Sequence, residues 1–285
     1  TFAGSVSVDE GIVEARHALA FGTTTRGVTV TDGSVTLNNV SVSGETLFVR
    51  GTKSVTANTA GSLLTGLGAN AGWLGRIELD TNLVVYSSDH CLLGGPIVGP
   101  GGIEFLGSDS FMLGSGSSSD PSTYTGLTRV LCELCAVYEE RAFRGPVVVG
   151  GGFGGQNELR WEFPSQNRGV PEVTVYPNGL VNMNGRGETF TQLNLYGGQV
   201  ITSTGFVAVA HVAAFPTNVT ASIEGNLVLA TFPTTDFDVG DGTPNPDLDI
   251  SAAIISGFGS NGIEKKGDGE LRLSGANTYE GGTFV

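Results

Sequence analysis

Residues 261–273 read NGIEKKGDGELRL, and residues 101–113 read GGIEFLGSDSFML. Gly262, Ile263, Glu264, Gly267 and Leu273 repeat Gly102, Ile103, Glu104, Gly107 and Leu113 at a distance of 160 positions. Each copy continues into a second shared stretch, STYTGLTRV (Ser122–Val130) and NTYEGGTFV (Asn277–Val285). The chain opens on TFAGSVSV (Thr1–Val8), which fits the same Thr-aromatic-x-Gly pattern. One module therefore occurs three times: its tail at Thr1–Val8, a full copy mid-chain, and a full copy reaching Val285. Self-similarity of this kind marks a solenoid, in which a unit unable to bury its apolar side alone buries it against the next. The expectation is one continuous coil over residues 1–285, a window of a longer repeat protein, with modules at about 1–130 and 131–285.

Outward from these copies, two-residue alternation runs along most of the chain. Val28 and Val30, Val35 and Leu37, Leu47 and Val49, Ile77 and Leu79, Leu159 and Trp161, Val173 and Val175, Val207 and Val209, and Leu227 and Leu229 all follow it. This period predicts short half-buried strands. Gly, Asn, Asp and Ser break the runs and supply turns. Only Leu131–Arg141 (LCELCAVYEER) has a composition that tolerates a helix, and the repeat alignment places it just after a strand position. Parallel strands ordinarily need helical return connections. Without helices, the return path must itself be made of strands, which predicts an all-β parallel β-helix (β-solenoid). Rungs of about 20 residues would give about 14 of them.

Composition narrows the function classes. Glycine supplies 45 of 285 residues, one in six, against a usual ~7%. Hydrophobic residues make up 39% and charged residues 15%, too apolar a balance for a disordered chain. The glycines keep no every-third period, which excludes collagen. No apolar run approaches the ~20 residues of a membrane-spanning helix. Fourteen Lys and Arg face 28 Asp and Glu, a net charge of −14, and the only lysines are Lys53, Lys265 and Lys266. Such a chain lacks the clustered cations that track phosphates, so nucleic acid is excluded as a partner and anionic lipid is disfavoured.

The stretch Gly262–Val285 resembles the passenger-associated repeat of bacterial autotransporters. The resemblance rests on Gly262, Lys265, Gly267, Gly269, Leu271, Leu273, Ser274, Gly275, Asn277, Thr278, Tyr279, Gly281, Thr283 and Val285. FDVGDG (Phe237–Gly242) with DLDISAAIISG (Asp247–Gly257) is similar to the lead-in of that family, and Gly179–Val200 to its rung pattern. The central copy departs more. Phe105 and Leu106 replace the lysine pair, Ser108 and Ser110 stand where the second copy has Asp268 and Glu270, and Gly114–Asp120 is inserted. The resemblance implies a right-handed parallel β-helix displayed outside a bacterial cell, at the surface or attached to the outer membrane. In such a coil Asn277 is expected as a turn or ladder residue, and glycine serves corners of positive φ.

Candidate chemistry is sparse. Cys132-Glu-Leu-Cys135 is a C-x-x-C without a second pair, and positions i and i+3 of a strand point to opposite faces, which spoils chelation. The three cysteines, with Cys91, are expected as structural thiols, with a disulfide involving Cys91 as the alternative. Asp236, Asp238, Asp241, Asp247 and Asp249 form the densest acidic cluster. They are expected as solvated turns, with Asp236, Asp238 and Asp241 as weak calcium candidates; Gly240 stands where an EF-hand loop wants another oxygen ligand. Gly150–Gln156 (GGGFGGQ) lacks both the aspartate of a calcium nonapeptide and the Lys-Ser of a phosphate loop. His17, His90 and His211 are scattered; Asp89-His90 beside a serine would suggest a triad, but no G-x-S-x-G elbow exists. The expectation is a non-catalytic structural or adhesive segment without cofactor. Its partners would be itself, end-to-end or side-by-side, or host, neighbouring-cell or glycan surfaces. The alternative is a β-helix carbohydrate-active enzyme. It needs two carboxylates within about 10 Å on adjacent rungs beside aromatics, for which Trp73, Trp161 and Tyr176 are the candidates.

Overall fold

The computed structural model describes residues 2–22, 26–51, 64–114, 121–139, 142–152, 154–163, 170–231, 233–257 and 259–285. Thr1, Lys53, Glu140, Arg141, Phe153 and residues 115–120 of the insertion lie outside the described residues. The chain divides into two units, Thr1–Gly145 and Pro146–Val285. The described residues form 29 strands and no helix, and these strands pair in parallel. Each unit is thus a stack of strands coiled as a β-solenoid.

The alternation explains the stacking. In Thr1–Gly145, Val28–Val30 pairs in register with Leu47–Val49, and that strand with Ile77–Leu79. Inward side chains therefore stand in columns: Val28, Leu47, Ile77 and Ile97 in one, Val8, Val30, Val49 and Leu79 in another, all buried. A second ladder stacks Val35, Leu64, Val85, Phe105 and Val130. A third stacks Val42, Trp73, Leu93, Leu113 and Val137. In Pro146–Val285 the columns are Val147, Val173, Leu193, Val212 and Phe237, and Val181, Val200, Ile223, Ile250 and Leu273. A one-residue slip would turn a whole column to solvent, so burial fixes register. Each fully buried Val, Leu, Ile or Phe contributes about 1.5–3 kcal/mol.

Rungs are longer and less even than 20 residues. The step from a strand to its partner is 19 residues at Val28–Leu47 and 30 at Leu47–Ile77. The two units together make about 11 turns rather than 14, because the segments joining one strand to the next add residues to each turn.

Three local readings are decided by the structure. Leu131–Arg141 is not helical over its described part: Thr128–Val137 is one strand, pairing with Ile103–Leu113. Trp73 and Trp161 are wholly buried core residues and line no groove. Cys132 and Cys135 both point inward, because the strand turns a corner between them, opposite a register shift between Gly107 and Ser110. Strict alternation holds only within a straight strand, and an irregularity re-aims the side chains after it. All three cysteines are thiols, not disulfides. Burial pushes the Cys91 and Cys132 thiols up to about 12 and Cys135 well above its usual value.

Candidate functional site

The two copies of the repeat end on corners built the same way. In the mid-chain copy, the Ile97 N–H donates to Ser122 Oγ at 3.1 Å, and the Thr123 N–H donates back to the Ile97 carbonyl at 2.7 Å. In the later copy, the Ile254 N–H donates to Asn277 Oδ1 at 3.0 Å, and the Thr278 N–H to the Ile254 carbonyl at 2.9 Å. Ser122 and Asn277 thus present the same acceptor to the rung before. The hydroxyls of Tyr124 and Thr128 share a 2.6 Å hydrogen bond, as do those of Tyr279 and Thr283. The Ile103 N–H donates to the Leu127 carbonyl, and the Ile263 N–H to the Gly282 carbonyl, both at 2.9 Å.

The glycines follow from backbone approach. A methyl on Gly126 would lie 2.3 Å from the Gly101 carbonyl carbon, and one on Gly281 2.4 Å from that of Asn261. A methyl on Gly102 would lie 2.2 Å from the Leu127 carbonyl oxygen, and one on Gly262 2.3 Å from that of Gly282. Gly269 and Gly275 sit equally close to the carbonyls of Gly240 and Ala252. Gly267 adds to a 2.4 Å approach to the Val239 carbonyl oxygen a φ of 78°. Leu271 and Leu273 pair with Leu248 and Ile250, and Ser274 Oγ reaches Asp249 Oδ1 at 3.5 Å.

Cover differs between the copies. Tyr124 is fully buried, whereas Tyr279 is half-buried. Tyr124→Phe is expected to cost the unit Thr1–Gly145 about 1–2 kcal/mol, because it leaves Thr128 Oγ1 without its partner inside the core. Tyr279→Phe is expected to cost under about 0.5 kcal/mol, because water reaches the Thr283 hydroxyl. Urea unfolding of the two variants reads the contrast, and equal losses would mean that cover does not set the worth of this bond.

The acidic cluster disperses. Asp236 carries an ion pair with Lys266 at 3.0 Å, and His211 approaches it at 4.0 Å. Asp249 is hydrogen-bonded by Arg272, which lowers its carboxyl below the usual range. Asp247 is buried and clips two turns, accepting the N–H of Gly242 at 2.7 Å and of Glu270 at 2.8 Å. Asp238 and Asp241 are exposed. Among the described residues no three His, Cys, Asp or Glu side chains are grouped to hold a metal ion. His90 Nδ1 lies 2.8 Å from Ser110 Oγ, its register partner on the next rung. The serine beside His90 is therefore present, while the contacts of Asp89 in this region run through its backbone. In the described part of Gly150–Gln156, the Asn178 side chain accepts the Gly151 N–H and donates to the carbonyl of Gly155, and it donates also to Asn157 Oδ1. The corner roles of Ser122 and Asp247 were not read from sequence; an oxygen-bearing residue before each Thr-Tyr pair is the signal for the first.

Residues 263–285 match the family model of the passenger-associated-transport-repeat. Comparison with curated proteins and with solved structures gives no match. The repeat and the parallel β-solenoid together are consistent with an autotransporter passenger domain.

Proposed function

We propose that this chain is a non-catalytic structural or adhesive segment of a secreted, surface-displayed bacterial protein of the autotransporter type. The observation that carries the reading is the corner. Its hydrogen bonds and close glycine approaches recur around Tyr124 and Tyr279, and the second instance falls within the matched repeat. Residues spent on joining rungs make a stiff scaffold, and the outward side chains are left to meet a surface. Self-association, end to end or side by side, draws on exposed apolar side chains such as Ile12 and Leu19 in one unit and Ile255 and Phe284 in the other.

The test is display. The chain is placed between a secretory signal and an outer-membrane translocator in a bacterial host. Protease-accessible chain at the surface, with increased binding to host cells or clumping of the bacteria, is the expected result. A displayed chain that changes neither binding nor clumping removes the adhesive role. Incubation of the purified chain with a polysaccharide panel addresses the enzyme reading, and sugar release would favour it.

A further inference from the structure

Tyr176, Tyr196 and Phe215 occupy one outward column of the unit Pro146–Val285. Each directly follows a register-paired inward residue: Val175, Leu195 and Ala214. The Tyr196 N–H donates to the Val175 carbonyl, and the Phe215 N–H to that of Leu195. The rings of Tyr176 and Tyr196 stack at 5.0 Å and 17°, and those of Tyr196 and Phe215 at 4.3 Å and 2°. Stacked rings on successive turns support the coil by themselves. The two ends of the stack differ, however. Beside Tyr176 lies the backbone of Gly151, where a methyl would come 3.0 Å from the ring. Beyond Phe215 the column continues as Gly240, whose N–H donates to the Ala214 carbonyl and which has no side chain; the Pro216 ring lies against it, 2.7 Å from where a methyl would stand. Phe215 is 37% exposed.

The neighbouring turns carry charge of both signs, since Asp238 is also the register partner of Lys266. Asp238, on the strand Thr234–Val239, is the register partner of Ala213, two residues before Phe215. Asp241 follows Gly240 directly and Asp238 stands two residues before it; both are exposed. We propose that Phe215, braced by Tyr196 and Tyr176, is a stacking platform for the pyranose ring of a neutral glycan, with Asp238 and Asp241 accepting hydrogen bonds from its hydroxyls. The axial C–H groups of a pyranose carry partial positive charge and suit the negative face of an aromatic ring. Carboxylates accept hydroxyl protons in strong charge-assisted bonds. The same carboxylates, in a chain of net charge −14, repel sulfated or sialylated sugars. The proposal rests on the surface reading only in that the glycan is met outside the cell.

The experiment is titration calorimetry and saturation-transfer NMR on the full chain. Maltohexaose and cellohexaose serve as neutral probes and polysialic acid as the anionic one. At least one neutral probe is expected to bind and the anionic one not to. Phe215→Ala should weaken binding at least about tenfold, and Phe215→Trp should keep it. If Phe215→Ala does not fold, Phe215→Leu removes the π face while leaving an apolar side chain, and should lose binding equally. Absence of binding by both neutral probes, or binding unchanged in Phe215→Leu, overturns the platform. Displayed chain that still promotes cell binding while neither neutral probe binds refutes the platform and leaves the surface role standing. Probe binding without any display phenotype does the reverse.

Discussion

A single methyl at Gly126 is expected to lower the melting temperature of the unit Thr1–Gly145 by about 10 °C, the effect of about 3 kcal/mol in a body of this size. The new carbon would fall 2.3 Å from the Gly101 carbonyl carbon and 2.4 Å from both its oxygen and the Gly102 nitrogen. All three are backbone atoms, so no side chain can swing aside. The Ile103–Leu127 hydrogen bond sits beside this contact, and the rungs must part for the methyl to enter. Gly155→Ala is the control, because a methyl there meets nothing within 4 Å; it should change stability by under about 0.5 kcal/mol. Thermal unfolding of both variants decides the matter: if Gly126→Ala melts with Gly155→Ala, the corner is not held by backbone approach. Gly281→Ala creates the same collision at a half-covered corner and should cost less, because the segment carrying Tyr279 can lift.

The other large effect concerns Glu188, on the strand Gly187–Leu195. It is 2% exposed and is the register partner of buried Val207. Its Oε1 accepts the Thr189 N–H at 2.8 Å, and its Oε2 has no hydrogen-bond partner. Burial pushes its carboxyl up to about 8, so the folded chain holds it protonated at neutral pH. The unfolded chain ionises it near the ordinary glutamate value of about 4.3. Folding therefore takes up a proton across the interval between these values. The contribution of Glu188 to stability is full below the unfolded value and falls by about 1.4 kcal/mol per pH unit as pH rises toward 8. Glu188→Gln keeps the shape and abolishes the titration. Its unfolding free energy from urea titration should match the native one near pH 4.5 and exceed it increasingly above, by about 3 kcal/mol or more at pH 8. Native and variant curves that run parallel from pH 5 to 8 would show that Glu188 is ionised in the fold.

What could be read from sequence was what has a period. Val28 and Val30, or Val173 and Val175, declared their inward face through alternation, and the fold placed them in columns. Alternation also put Trp161 in phase with buried Leu159, and Glu188 in phase with buried Phe190, so the burial of both was available. Rung length was not legible, because a turn adds residues without adding a period. Cys132 and Cys135 are the buried thiols expected, but alternation put them on opposite faces, and the corner between them resets that phase. The stack of Tyr176, Tyr196 and Phe215 escaped notice since its spacings of 20 and 19 residues mean nothing until register is known. In the repeat, Asn277 was expected at a turn or ladder. The equivalence with Ser122 needed coordinates, because only the accepting oxygen is shared.

The parallel pairing of strand upon strand also governs how such a chain yields to a pull. Tension on one end of a unit bears on the outermost turn before any other, so bonds fail a few at a time, as stitches do when a hem is unpicked. Each turn released frees 19 to 31 residues, about 6–11 nm of slack at roughly 0.35 nm per residue. A body that lengthens in such increments absorbs a jolt without surrendering the rest of its structure, a useful property in anything tethered in moving fluid.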